Sequence, residues 1–343
     1  MKTNIKELKE RALKGDLKAL EELRQMGLLS GNRSKYTLAP VSYAQRRLWF
    51  IDKMDKSPAY NLTAAIILKG NFAIEALEYA FKEIFVRHEI LRTAFVESEG
   101  APFQKIFSEI DFRLEVEDIS DSPDTDVLIK RLLAEESGRI FDLSKAPLLI
   151  CKLYKLRAKE HILLFNMHHI ISDGWSVGVL TGELNTLYNT FVKGEANPLP
   201  PLQMQYKEFA RIQTQKLEEG ESSQERSYWL NKFSGELPLF ELTPDFHRPL
   251  NKTFSGKRVQ APIPESTFKA IKNICIKNGV SHFMFLFSAV NTLLYKYSGM
   301  SDIIVGSPVS GREHRGLEDQ IGFYVNTIPL RSIIEPKLSF SDF

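Results

Sequence analysis

The chain has 343 residues, 43% of them apolar, and a formal net charge of only +2, with 45 Lys and Arg set against 43 Asp and Glu. That length accommodates about two ordinary domains with real cores, and the interspersed charges leave no basic block for nucleic acid. No run reaches the roughly 20 apolar residues of a membrane span, no signal-type apolar core follows Met1, and Cys151 and Cys275 sit in apolar surroundings like buried thiols, so a cytoplasmic protein with neither nucleic-acid nor membrane partners is expected.

Residues 1–34 read as a charged helical leader. Ile5 to Met26 is broken at Gly15-Asp16, where Asp16 caps a second helix carrying Leu17, Leu20 and Leu23 until Gly27 stops it. So short an amphipathic unit has little core of its own, and either folds back on its own domain, stays loosely ordered or needs a partner surface.

Residues 35–198 alternate between element types, which predicts an α/β lobe. Ala64 to Leu68 reads as a strand, Ile74 to Arg87 as a helix, and Leu91 to Phe95 as a strand before a hairpin-like Glu99-Gly100. Ile162-Leu163-Leu164-Phe165 is an unbroken apolar run, the pattern of a strand buried on both faces. It delivers His168 and His169 at its end. Neighbouring strand side chains point to opposite faces, so only one of the two histidines can face a cleft. Val177, Leu180, Leu184, Leu187 and Phe191 then recur at three- and four-residue steps, so a helix starts beside the pair, with its N-terminus favouring negative charge.

An imidazole titrating near neutrality suits proton transfer. Asp173 has two possible jobs: to orient that imidazole as a triad member, or to hold the loop through an ion pair with a distant arginine. Spacing does not choose between them. A metal site is disfavoured, because adjacent strand histidines diverge and no further ligand cluster accompanies them.

Asn197-Pro198-Leu199-Pro200-Pro201 reads as an extended connector and places a lobe boundary after residue 198. Residues 199–343 then give a charged helix around Gln203 to Phe233, a strand at Lys257 to Ala261, an apolar helix from His282 to Tyr297 and a strand from Asp302 to Gly306. This predicts a second α/β lobe.

Five ordered segments carry a family resemblance. They are Ser42-Tyr43-Ala44-Gln45-Arg46-Arg47-Leu48-Trp49-Phe50, Arg87-His88-Glu89-Ile90-Leu91-Arg92-Thr93-Ala94-Phe95, the His168-His169-x-x-x-Asp173-Gly174 loop, Tyr206-Lys207-Glu208-Phe209-Ala210 and Ile321-Gly322-Phe323-Tyr324-Val325-Asn326-Thr327. Together they resemble the condensation domains of nonribosomal peptide synthetases, in the chloramphenicol acetyltransferase-like superfamily. The sequence after Gly174 is more like the kind joining two L-residues. The resemblance implies two acetyltransferase-like lobes in a V-shape, with the second lobe incomplete because two later family motifs are missing before Phe343.

It also implies the reaction, peptide-bond formation. The amine of an aminoacyl group on a downstream peptidyl carrier protein attacks an aminoacyl or peptidyl thioester on an upstream one. The substrates ride on 4'-phosphopantetheine arms, no cofactor is bound by the domain itself, and an adenylation domain is adjacent. His169 would be the catalytic imidazole, as base or as positioning group, and His168 would support the loop from the interior. Asp173 would pair with an arginine, for which Arg312 is nominated, and Gly174 would offer an amide to the oxyanion and leave room for the thioester.

Arg46, Arg87 and Arg92 read as structural ion-pair formers, with Arg46 and Arg92 supporting the site. Trp175, Ser176 and Asn326 are expected along the substrate tunnel, although Trp49 and Trp175 also suit core or lobe-interface packing. His88, His161, His247, His282 and His314 read as bystanders. The leader would then be a segment that docks an upstream synthetase protein. Alternatives are an epimerisation domain, a non-catalytic recruitment platform and a free-standing acyltransferase using coenzyme A; heterocyclisation is disfavoured, because its aspartate-based motif is absent.

Overall fold

A computed structural model describes residues 5, 35–98, 100–122, 124–218, 223–247, 249–250, 256 and 259–343, so the leader read over residues 1–34 lies, Ile5 apart, outside the described residues. The first half runs β1 (Tyr36–Pro40), α1 (Tyr43–Met54), β2 (Asn61–Lys69), α2 (Ile74–Arg87), β3 (Thr93–Ser98), β4 (Ala101–Phe107), β5 (Glu115–Asp118), α3 (Thr125–Ser137), β6 (Leu149–Arg157), β7 (Glu160–His168) and α4 (Gly174–Lys193). There follow α5 (Tyr206–Glu218), α6 (Ser223–Lys232), α7 (Glu265–Asn278), α8 (His282–Ser298), β8 (Asp302–Val309) and β9 (Asn326–Ile333).

Every residue of β7 after Glu160 is buried, as its unbroken apolar run requires. The strand is central in a four-stranded sheet of order β2-β7-β6-β5, antiparallel to β2 on one side and β6 on the other. Its neighbour but one, β5, pairs parallel to β6 and leaves an edge bearing Glu115, Glu117 and Asp118, charges that discourage a further strand from adding there. A second sheet, β1-β4-β3, is antiparallel throughout.

The two faces of β7 feed different cores. Leu163, Phe165 and Met167 join the main core, whereas Ile162 and Leu164 join a smaller cluster under Leu128, Ile129, Leu132 and Leu133 of α3. Helix α2 buries Ala76, Leu77, Ala80, Phe81, Ile84 and Phe85 at helical spacing, and α4 buries Leu180, Leu184 and Leu187; these faces pack together over the sheet. Each fully buried Leu or Phe contributes about 1.5–3 kcal/mol. Ala73, at the start of α2, has no side chain to cap the helix, and the Tyr188 hydroxyl accepts its N–H at 3.0 Å.

The main core does not end at residue 198. Tyr206 and Ala210 of α5, and Leu317, Ile321, Phe323 and Tyr324 of the segment between β8 and β9, are buried in it. Further out, β8 and β9 form an antiparallel pair, and α7 packs against α8.

Three elements differ from expectation. Leu91 is not in a strand: Glu89–Arg92 is a single tight turn, held by the Thr93 hydroxyl on the Glu89 carbonyl at 2.8 Å, and the strand starts at Thr93. A short buried apolar run does not reveal its backbone. The helix read over Gln203 to Phe233 is two helices, with residues 219–222 outside the described set. Of the strand read over Lys257 to Ala261, residues 259–261 are unpaired and Val259 is exposed; Pro262 and Pro264 follow at once, and a strand exists only where a partner edge meets it.

Candidate functional site

The loop after β7 is built from the strand's alternation. His168 shares the face of Ile162 and Leu164, lies edge-on to Phe141 at 6.0 Å and is 3% exposed. Its Nδ1 accepts the Ile170 N–H at 3.1 Å, which pins the turn His169–Ile171 and places the imidazole proton on Nε2. Burial, and next the neighbouring His169, lower its pKa to about 4. His168 is therefore neutral near pH 7 and its Nδ1 lone pair is committed.

His169 leaves the strand in that turn and is only half-buried. Its ring meets Phe323 edge-on at 4.8 Å, and Nδ1 finds no hydrogen-bond partner among the described residues. Among the described residues no carboxylate orients this imidazole.

Asp173 is occupied elsewhere. It caps α4 with Oδ1, which accepts the Ser176 N–H at 2.8 Å, the Ser176 hydroxyl at 2.7 Å and Arg312 Nη2 at 3.0 Å. Oδ2 accepts the Tyr324 N–H at 3.1 Å. Four donors thus meet a carboxylate only 2% exposed, and of its two possible jobs Asp173 performs the clamp, not the triad.

Arg312, 8% exposed, faces Asp173 across 139 positions of chain. Its Nη1 donates to the carbonyls of Gln320, at 2.7 Å, and Leu317, while the guanidinium lies 4.2 Å from the centre of the Tyr324 ring. The segment it grips is tied to α4 again by Ser176, whose hydroxyl, its proton given to Asp173, accepts the Gly322 N–H at 3.0 Å. Two glycines permit this closeness. A Cβ at Gly322 would stand 2.3 Å from the Tyr206 ring, and one at Gly311, where φ is +65°, would stand 2.1 Å from the Tyr324 carbonyl oxygen.

The other motifs reach the same loop by residues that sequence reading passed over. Gln45 of α1 is buried, donates through Nε2 to the Ile170 carbonyl at 3.2 Å and accepts the Ser42 N–H at 3.1 Å. Tyr206 donates its hydroxyl proton to the Phe323 carbonyl at 2.7 Å and receives one from Ser42 Oγ at 2.8 Å. His88, read as a bystander, is 1% exposed and bonds Glu183 Oε2 at 2.8 Å. These partners lie 95 to 164 positions apart, and only polar residues inside otherwise apolar segments hint at them.

Other expectations are corrected by placement. Arg46 does not support the loop: it is exposed on the outer side of α1, 5.8 Å from the centre of the Phe50 ring, because Gln45, Leu48 and Trp49 take the buried face. Arg92 ties α2 to β4 through the carbonyls of Phe85, at 3.1 Å, and Phe107, and does not touch the histidine loop. Arg87 makes a structural pair with Glu183 Oε1 at 2.8 Å. Ser176 is fully buried within the Asp173 network and lines no open channel. Trp175 is 53% exposed, not core, and its Nε1 donates to the Glu318 carbonyl at 2.8 Å.

Asn326 is exposed at the start of β9, where its side-chain oxygen accepts the Thr327 N–H at 2.9 Å. Gly174 is exposed at the first position of α4, with open space where a Cβ would stand. Both cysteines are buried and free, and among the described residues no cluster of His, Cys, Asp or Glu is arranged to hold a metal ion. No described helix is long and apolar enough to cross a membrane.

The arrangement offers one half-exposed imidazole that makes no side-chain hydrogen bond among the described residues, next to the N-terminus of α4, whose first N–H groups have no partner within the helix.

Residues 35–343 match the condensation-domain family, so the chain belongs to the condensation domains, the family its five motifs resemble. It is 37% identical over 314 residues to bacitracin synthase 2 of Bacillus licheniformis, covering 90% of this chain and 12% of that protein. Surfactin synthase subunit 1 of Bacillus subtilis (strain 168) is 39% identical over 303 residues, or 88% of this chain and 8% of that protein. The chain thus spans a small part of these relatives. Among solved structures, the X-domain from teicoplanin biosynthesis gives a TM-score of 0.79 at 25% identity, over 91% of this chain and 69% of that one. The first condensation domain of the CDA synthetase gives 0.74 at 19% identity, over 89% and 73%. The mixed α/β architecture is that of the condensation-domain fold.

Proposed function

We propose that this chain forms peptide bonds in nonribosomal peptide synthesis. The observation that carries the reading is that His169, alone of the loop's polar side chains, makes no side-chain hydrogen bond among the described residues, while His168, Asp173 and Ser176 are consumed in holding the loop. The amine of an aminoacyl thioester on a downstream carrier attacks the carbonyl of the upstream thioester. His169 holds that amine by a hydrogen bond or takes its proton. The tetrahedral oxyanion collapses, the C–S bond breaks, the amide stays on the downstream carrier, and the upstream phosphopantetheine thiolate leaves with a proton. Thioesters are already activated, so alignment of the two arms supplies much of the acceleration, with about 10²–10⁴-fold from the base.

The same reading assigns the partners: upstream and downstream peptidyl carriers bearing 4'-phosphopantetheine, an adjacent adenylation domain, and an upstream synthetase protein docked by residues 1–34. The domain itself binds no cofactor, works in the cytoplasm, divides into lobes at residues 35–198 and 199–343, and joins two L-residues. Gly174 leaves space for the thioester, and Trp175 and Asn326 border its path.

The likeness to an X-domain recorded in complex with OxyB, at 25% identity and a TM-score of 0.77, favours a second reading, a platform that recruits a protein without chemistry. Intact mass spectrometry of a downstream aminoacyl carrier, mixed with an upstream aminoacyl carrier and this chain, tests the first. Dipeptide on the downstream carrier supports it, and an inverted stereocentre without transfer, read by chiral chromatography of the amino acid released from its carrier, points to epimerisation. Neither product, with carriers bound, leaves the platform.

A further inference from the structure

The imidazole of His88 is a buried titratable group that the reaction above does not use. It stands at the C-terminal end of α2, 1% exposed. Its Nδ1 accepts the Ile321 N–H at 3.4 Å, so its proton is on Nε2, which donates to Glu183 Oε2 at 2.8 Å. The other Glu183 oxygen takes Arg87 Nε at 2.8 Å, so the buried carboxylate has a cation and a neutral donor. Burial holds His88 in the neutral form by pushing its pKa below the usual value. The neutral form is the one that can accept from Ile321.

Both ends of this bridge lead to His169. Glu183 is on α4, the helix that Asp173 caps and Gly174 begins. Ile321 precedes Gly322, whose N–H donates to Ser176 Oγ, and Phe323, whose ring packs edge-on against His169. Arg312, Ser176 and Tyr206 hold the 317–324 segment from one side, and His88 holds it through Ile321. An apolar side chain in place of His88 would leave the Ile321 N–H without its buried acceptor, and the segment would relax where Phe323 meets the imidazole.

We propose that His88 is a positioning residue for His169: by bridging Glu183 of α4 to the Ile321 amide, it fixes the Phe323 ring against the His169 imidazole. The role rests on the reading of His169 as the reacting group. Nothing in it requires His88 to touch substrate.

The test is single-turnover amide transfer between two carriers by the full chain, for His88→Phe and His88→Asn, each in the native and in the His169→Ala background. Asn places an acceptor where Nδ1 stands and so restores the Ile321 bond. We expect His88→Phe to slow transfer about tenfold at an unchanged half-saturating carrier concentration, His88→Asn to recover most of the rate, and less than a further twofold loss in the His169→Ala background. Equal losses in both backgrounds, a loss confined to half-saturation, or no loss overturns the proposal. If His88→Phe does not fold, His88→Asn against His88→Gln, which reaches Glu183 but not Ile321, carries the comparison, and a faster Gln variant overturns it. A His169→Ala chain as fast as wild type removes the reading of His169 itself, a failure distinct from the others.

Discussion

Replacing Arg312 by methionine strips Asp173 of its one cationic partner among the described residues while leaving the carboxylate buried. The variant loses four hydrogen bonds, to Asp173, Ser176 Oγ and the carbonyls of Gln320 and Leu317. Asp173 keeps three donors, the Ser176 N–H and hydroxyl and the Tyr324 N–H, but carries an uncompensated charge. Breaking one side of such a pair costs about 3–5 kcal/mol, a large share of the roughly 5–15 kcal/mol by which a folded domain is stable. Asp173→Asn strands the Arg312 charge instead, at a similar cost. The double variant strands neither charge, so its loss should fall short of the sum of the singles by about 2 kcal/mol. Urea unfolding of the full chain, followed by tryptophan fluorescence, measures all three. Single losses below about 1 kcal/mol, or a double loss additive to within about 0.5 kcal/mol, would refute the argument that this buried pair closes the loop.

Gly174→Ala meets no atom within 4 Å, so melting should be unchanged or slightly raised while transfer slows if the thioester passes over that position; a destabilised variant with normal transfer would contradict this. Gly322→Ala, whose Cβ would stand 2.3 Å from the Tyr206 ring, should cost about 1–3 kcal/mol in the same unfolding assay. For His168 the folded pKa of about 4 lies below the ordinary 6.5, so the unfolded chain binds the proton first. Its stability contribution is complete above pH 6.5 and is lost as pH falls toward 4, by about 3 kcal/mol. His168→Asn, which keeps an acceptor for the Ile170 N–H, should flatten that part of the stability profile, and an unchanged slope would show that His168 is not the group responsible.

The part of the site carried by local pattern was legible in the sequence. The run Ile162 to Phe165 and the spacing of Leu180, Leu184 and Leu187 define a buried strand followed by a helix, and strand alternation separates His168 from His169 before any coordinates are known. What the sequence withheld is long-range. Asp173 could equally have served a triad or a clamp, and the choice is made by Tyr324 and Arg312, 151 and 139 positions away. His88 looked like any histidine, because its meaning depends on Glu183 and Ile321, which no periodicity connects to it. Arg46 and Gln45 stand side by side in one motif, and a helix turns one out and the other in. The Leu91 turn and the unpaired residues 259–261 miscarried for a related reason, since backbone state there is set by partners outside the window.

A clamped loop presents one unbonded imidazole, that of His169, to the reaction. The most direct test is the single-turnover rate at which dipeptide appears on the downstream carrier, compared between wild type and His169→Ala at matched melting temperature. Removing the imidazole should slow transfer about 10²–10⁴-fold; a His169→Ala chain that transfers at the wild-type rate would show that His169 takes no part in the reaction.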